Sequence, residues 1–402
     1  MLDRRAHMFK FGRSTVWILA AALIATLIKL YLAYATYGTD DVLLYFQYGM
    51  TVNLHGLAGA FEEPQFNLTP LAAWYPSLLM DSLARNRNWF PLALKLPGIL
   101  AYLGTVVAMV WLRLRIPRLP SYALVLFAAS PVSILIDGFH GNLDSIMVFG
   151  LVLAGCACAL QRPNWILCAV CLVFASQVKV VALLTAPAFW FFWIHRGRAW
   201  SFLLATGAAT VFGWLPGILA NPPAFFSNVL AYGSVWGMWG ITFLLHLTGQ
   251  TSFQEVNWVG LSNAQIVVSQ LLKLIIIAVV VVAGWRNRQG DASTLFGTIS
   301  FCWIVFFVFS PGMGLQYLLW FAPFLLVWNA RWYVALTMIS SLVLFFYYTI
   351  SCGGFPWWRA HTSHFADYYA FLLLPWAAMV ACGTTYLVKR ADPQPDLALP
   401  TA

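Results

Sequence analysis

Apolar residues run along this chain in long blocks separated by short polar breaks, and the blocks predict the architecture. Measured against the twenty or so residues needed to cross a bilayer, they mark about twelve spans. These are 15–37, 90–112, 120–137, 143–160, 163–176, 177–194, 199–219, 263–285, 293–310, 315–330, 332–350 and 366–387. The stretch 163–194 also reads as one long helix; dividing it keeps the basic residues of every later loop on one side. After the first span the pattern changes. Leu43, Phe46, Met50 and Leu54 recur at spacings of three, four and four, the single apolar stripe of a helix lying flat on a membrane surface. Two adjacent carboxylates, Asp40 and Asp41, stand at its start. The fold class predicted is all-α: a polytopic integral membrane protein.

The distribution of charge orients it. With the N-terminus inside, fifteen Lys and Arg fall on the cytoplasmic side and three (Arg85, Arg87, Arg359) outside, with Lys95 at the border, the bias expected of cytoplasmic loops. Both termini are then cytoplasmic. Residues 1–390 form one domain with two long external loops, 38–89 and 220–262. The Pro-rich, polar segment 391–402 reads as a disordered cytoplasmic tail. In a bacterial inner (plasma) membrane the external side is the periplasm.

Composition agrees and excludes several classes. The 402 residues are 61% hydrophobic and 9% charged, against about a quarter charged in soluble domains. The net charge of +9 is that of the cytoplasmic loops. No basic, aromatic-interleaved patch accompanies it, so nucleic acid is not an expected partner. Six of the seven Cys fall within spans, and Cys168-x-x-Cys171 reads as packing residues inside a hydrophobic helix rather than as a metal or redox site.

Polar motifs collect on the external side. Asp40 and Asp41 serve either as a helix start, with Asp40 as cap, or as a general base facing a cavity. Gln65-Phe-Asn-Leu-Thr-Pro-Leu71 reads by itself as a turn. Asp137-Gly-Phe-His-Gly-Asn-Leu-Asp-Ser145 packs His140, Asn142 and Asp144 into a tight connection; it is a capped Gly turn or a substrate- or metal-binding cluster, and His140 and Asp144, four apart, can share a face. Lys179, at the break between two short spans, either snorkels to the interface or holds a buried phosphate. Tyr232–Gly240, with Trp239, is an interfacial belt or an aromatic wall that stacks on sugar. Gly-rich 310–314 leads into Gln316 and Tyr317, at a helix start suited to anions. Lys29 and Lys273, within spans, read as snorkelling or structurally paired.

Together these stretches resemble the C-type (GT-C) glycosyltransferases, multi-span enzymes that use polyprenyl-phosphate sugars. The similarity is greatest to a bacterial mannosyltransferase-like branch with a DUF2029-type pattern. The matching pieces are Asp41-Val-Leu-Leu-Tyr-Phe46, Phe66-Asn-Leu-Thr-Pro-Leu71 with Thr69 in place of a Pro, Gly138-Phe-His-Gly-Asn-Leu-Asp144, Lys179-Val-Val-Ala-Leu183 without its Pro, and Gly314-Leu-Gln-Tyr-Leu-Leu-Trp320. The resemblance implies a GT-C-like architecture and transfer of a hexose, with inversion, from a polyprenyl-phosphate sugar to an acceptor hydroxyl on a glycan, lipid or protein. It implies Asp41 as base, with Asp40 beside it, and Lys179, helped by Arg359 or Gln316, on the leaving phosphate. His140, Asn142, Asp144, Tyr317 and Trp239 complete the expected substrate-binding set, with membrane lipids around it. No cofactor is indicated; a divalent metal is compatible with the chemistry, but no motif asks for one. A transporter or lipid flippase is the alternative class, since intramembrane Lys and Gly- or Pro-broken helices suit it too. No inverted repeat and no midplane clustering of polar residues supports it. A non-catalytic envelope scaffold would leave the intramembrane Lys and the polar turn without a role.

Overall fold

The computed structural model describes residues 12–63, 66–83, 89–116, 119–231, 236–254, 260–358 and 370–391. Every regular element among them is helical. In chain order the main ones are α1 (Arg13–Ala35), α2 (Asp40–Glu62), α3 (Pro70–Leu83), α4 (Phe90–Arg113), α5 (Ser121–His140), α6 (Asp144–Cys158) and α7 (Trp165–Val178). There follow α8 (Val180–Ile194), α9 (Ala199–Ala220), α10 (Asn263–Arg286), α11 (Ala292–Phe309), α12 (Leu315–Trp328), α13 (Ala330–Ser351) and α14 (Ala370–Val388). Eight of these (α1, α4, α5, α9, α10, α11, α13 and α14) are long and apolar enough to cross a membrane, and α6, α7, α8 and α12 are shorter apolar helices. Each of the twelve spans read from the sequence coincides with one of these helices. The chain is a polytopic membrane protein.

The division of 163–194 occurs at Lys179. Its backbone is extended (φ −145°, ψ 127°), and a 3-10 turn, Val180–Thr185, leads into Ala186–Ile194. Two β-branched residues follow Lys179, and Pro187 in the first turn of the next helix can donate no bond backwards.

The first long loop is itself helical. α2 turns Val42, Tyr45, Tyr48, Gly49 and Val52 into the protein. The stripe read from the sequence divides: Met50 and Leu54 are exposed, whereas Leu43 is half-buried and Phe46 packs edge-on against Phe90 at 5.2 Å. The α2 helix kinks at Gly56, whose φ is +67°, and α3 packs back on it. A Cβ on Gly49 would lie 2.7 Å from the Pro76 carbonyl oxygen. The Phe-Asn-Leu-Thr-Pro stretch is an anchored link. Phe66 is buried edge-on against Tyr48 and Phe61, and the Thr69 hydroxyl donates to the Gln177 carbonyl.

Contacts between basic side chains and neighbouring helix ends show which loops lie together. Arg113 reaches the Ser14 hydroxyl at 3.1 Å, while at the other end of the same pair Lys95 reaches the Thr36 carbonyl at 3.4 Å. Arg196 reaches the Gly290 carbonyl at 3.3 Å, joining two loops expected on one side. Within the bundle Lys29 pairs with Asp137 at 2.9 Å, both side chains buried. The ammonium also stands 3.5 Å over the Tyr102 ring. This Lys is structurally paired rather than snorkelling.

Candidate functional site

The site begins where α5 loses its regular pitch. Residues Ile134–His140 widen into a π-helical segment, a form often found at functional positions. Gly141 ends it with φ +84°, and a Cβ there would lie 2.5 Å from Val42 Cγ2 and 2.9 Å from Lys95 Cε. Only a glycine lets the turn close this tightly against α2 and α4. The His140 carbonyl then receives both the Thr39 hydroxyl (2.9 Å) and the Thr39 amide (3.2 Å). This stitches the polar turn to the start of α2 and sets His140 and Asn142 opposite Asp41.

Thr39, not Asp40, occupies the cap position, and both aspartates fall in the first turn. Neighbouring helical residues point about 100° apart, and the two part company. Asp40 is buried on the side of Cys352, whose thiol is pushed up to about 11 by burial and then by the Asp40 charge. Asp41 faces the turn, and its side chain keeps 24% of its exposure. Three donors converge on its Oδ2: His140 Nε2 at 3.0 Å, Asn142 Nδ2 at 2.8 Å and Gln316 Nε2 at 3.4 Å. Among the described residues no donor meets Oδ1. Burial works to raise the Asp41 carboxyl, but His140, Asn142 and, at longer range, Lys179 outweigh it, and the group sits below its ordinary 3.8.

Beside this cluster lies a second one. Lys179 Nζ is 2.9 and 3.0 Å from the two oxygens of Asp144, which is fully buried while the Lys side chain is 19% exposed. The Trp320 indole donates to the same carboxylate. The ammonium stands 5.1 and 5.5 Å from the Tyr317 and Trp320 ring centres, and these rings stack on each other at 3.9 Å. His140 and Asp144 therefore do not act as one face: the first serves Asp41 and the second Lys179. Asp144 does not cap α6 either; the cap position is Leu143.

The structure thus gathers Asp41, His140, Asn142, Asp144, Lys179, Gln316 and Tyr317 from four parts of the chain. Gln316 sits at Asp41 rather than at the cation. Trp239 is buried and its indole donates to the Phe307 carbonyl at 2.7 Å, a packing role rather than an open stacking face. Arg359 and residues 232–235 lie outside the described residues.

Three partners were missed in the sequence. The Tyr45 hydroxyl donates to Asn142 Oδ1 at 3.2 Å; it is four residues beyond Asp41, a helical neighbour that spacing could have flagged. Trp320, four beyond Gln316, carried the same signal. Tyr348, 2.8 Å from His140 Nδ1, sits within an apolar span and gave none.

No group of three or more His, Cys, Asp or Glu able to hold a metal ion occurs among the described residues. Two apolar grooves, about 450 Å³ between α1 and α5 and about 230 Å³ between α4, α6 and α7, open elsewhere and touch none of these residues.

Residues 64–195 match the family model described as alpha-(1->6)-mannopyranosyltransferase, N-terminal domain. The matched segment contains the Phe66–Leu71 link, the His140–Asp144 turn and Lys179, and it excludes Asp41, Gln316 and Tyr348. Searches of curated proteins and of solved structures returned no match. The family match supports a glycosyltransferase of the mannosyltransferase kind, acting on a sugar donor and an acceptor in a membrane setting.

Proposed function

We propose that this chain is an inner-membrane hexosyltransferase that moves a sugar from a polyprenyl-phosphate donor to an acceptor hydroxyl at the external, periplasmic face, with inversion. One observation carries the reading. The Asp41 carboxylate is fixed through Oδ2 by donors from two other segments, while Oδ1 meets no donor among the described residues. A general base needs this combination: an ionised group, aimed by its anchored oxygen and open at the other.

In the reaction the acceptor hydroxyl gives its proton to Asp41 Oδ1 as its oxygen attacks the sugar C1. The C1–O bond to the polyprenyl phosphate breaks, and the bonding pair leaves with the phosphate. One displacement from the opposite face inverts the anomeric centre. Lys179 acts on Asp41 through its charge, and the growing phosphate charge would draw its ammonium part-way from Asp144. Tyr317 and Trp320 form the wall beside it. Gln316, at Asp41, orients the base.

The test is to incubate purified protein in lipid nanodiscs with a panel of synthetic polyprenyl-phosphate hexoses and acceptor glycans. Release of polyprenyl phosphate that depends on acceptor supports the proposal. No release with any donor, while nucleotide sugars are turned over, overturns the donor class.

A further inference from the structure

Asp41 is aimed by His140, and His140 is itself held at a single angle by a residue outside the family match. We propose that Tyr348 is a positioning residue that locks the His140 imidazole in its Nε2-protonated tautomer and so fixes the direction of the Asp41 carboxylate. The proposal rests on Asp41 being the base.

The argument is one of donors and acceptors. An ionised carboxylate only accepts hydrogen bonds, so the nitrogen 3.0 Å from Asp41 Oδ2 must carry the hydrogen. That nitrogen is Nε2. In the neutral ring Nδ1 is then an acceptor, and the atom 2.8 Å from it is the Tyr348 hydroxyl, which donates. The opposite tautomer would set the Nε2 lone pair against the carboxylate. The neutral His140 ring is therefore satisfied in one orientation and one tautomer, whereas an imidazolium would donate from both nitrogens with the Tyr348 hydroxyl accepting, a pattern the spectrum distinguishes.

Tyr348 is built to stay in place. It is fully buried and lies edge-on to Phe139 at 5.0 Å and to Trp357 at 5.9 Å. The backbone of His140 is fixed separately, by the two Thr39 bonds to its carbonyl. Three residues earlier on the same π segment, Asp137 is pinned by Lys29 and by the Ser145 hydroxyl. With the main chain held, the remaining freedom of His140 is rotation and tautomer exchange of its ring, and Tyr348 removes both.

Tyr348→Phe deletes one oxygen and leaves the ring packing, so the variant tests the hydrogen bond itself. The experiment is ¹⁵N NMR of histidine-labelled protein in lipid nanodiscs, with His140→Gln identifying the His140 signals. In the wild type His140 should show an unprotonated, hydrogen-bonded Nδ1 and a protonated Nε2. In Tyr348→Phe, Nδ1 should move to the position of a free acceptor or both tautomers should appear. A Nδ1 that carries a proton in the wild type, or His140 signals unchanged in Tyr348→Phe, overturns the proposal whether or not sugar transfer is found. In the same samples Tyr348→Phe should lower kcat by up to about 10²-fold, the effect of roughly an ångström of misplacement, with donor KM unchanged. Wild-type protein that transfers no sugar would remove the transferase reading and leave the tautomer to be judged by the spectrum.

Discussion

Asp144 is wholly buried and paired with Lys179, so the two must be considered together. Removing either partner leaves an uncompensated charge, which costs about 3–5 kcal/mol in a buried setting. Lys179→Met should therefore lose stability as well as donor affinity, and Lys179→Met/Asp144→Asn should regain much of the stability but not the affinity. Thermal unfolding and donor binding of Lys179→Met, Asp144→Asn and the double variant form the cycle that separates the two effects; donor affinity unchanged in Lys179→Met would leave the Lys purely structural. Lys29–Asp137 should behave likewise in stability alone, with the double neutral variant folding better than either single one. The pH dependence follows from Asp41. Its folded value lies below 3.8, so its interactions stabilise the fold above its unfolded value and are lost as pH falls through the lower folded one. The carboxylate is ionised at neutral pH, and its own acid limb in kcat/KM, which reports the free enzyme, should lie below the usual carboxylate range. His140→Gln, which removes the largest influence holding the group down, should move that limb upward. A pH profile in which His140→Gln leaves the limb in place contradicts this account of Asp41.

Among the elements, the π-helical end of α5 bears most on function. Gly141 combines φ +84° with a site where a Cβ would meet Val42 and Lys95. Gly141→Ala should strain the turn, by about 1–3 kcal/mol for such backbone, and displace His140 and Asn142 from Asp41. Its kcat should fall more than its donor affinity, and equal losses would argue against the turn as an aiming device. The sequence showed that this connection was unusually polar, because two Gly, a His, an Asn and two Asp in nine residues need no three-dimensional information to notice. It did not show how the polar residues divide. A four-residue spacing suggested a shared face for His140 and Asp144, but that rule holds for α-helical pitch, and here the chain passes through a π turn and a left-handed glycine. The break at Lys179 was legible from charge bookkeeping across loops. The pairing of Lys179 with Asp144, 35 positions away, was not, because contacts between separate helices leave no local period. For the same reason Tyr348 was invisible, and Trp239, read as a candidate sugar wall, proved to be buried packing.

At the scale of the whole molecule, the apolar blocks were enough to locate the twelve apolar helices among the described residues, eight of them long enough to cross a membrane. The loop 38–89 was less legible: Gln65–Leu71 reads by itself as a turn, yet Pro70 already begins α3, which packs back on α2 at Gly49. The orientation expected from the charge bias can be checked with Glu62→Cys and Arg288→Cys in otherwise cysteine-free protein. An impermeant thiol reagent should label the first from outside and the second only from inside; labelling of both from one side contradicts the topology. The central claim is that one of two adjacent carboxylates is the base. It is tested most directly by steady-state turnover of Asp41→Asn and Asp40→Asn with a polyprenyl-phosphate hexose, alongside donor binding and thermal unfolding. Asp41→Asn should fold, bind donor and lose about 10²–10⁴-fold in kcat, the usual worth of a positioned base, while Asp40→Asn keeps most of its activity. Normal turnover in Asp41→Asn would contradict the account.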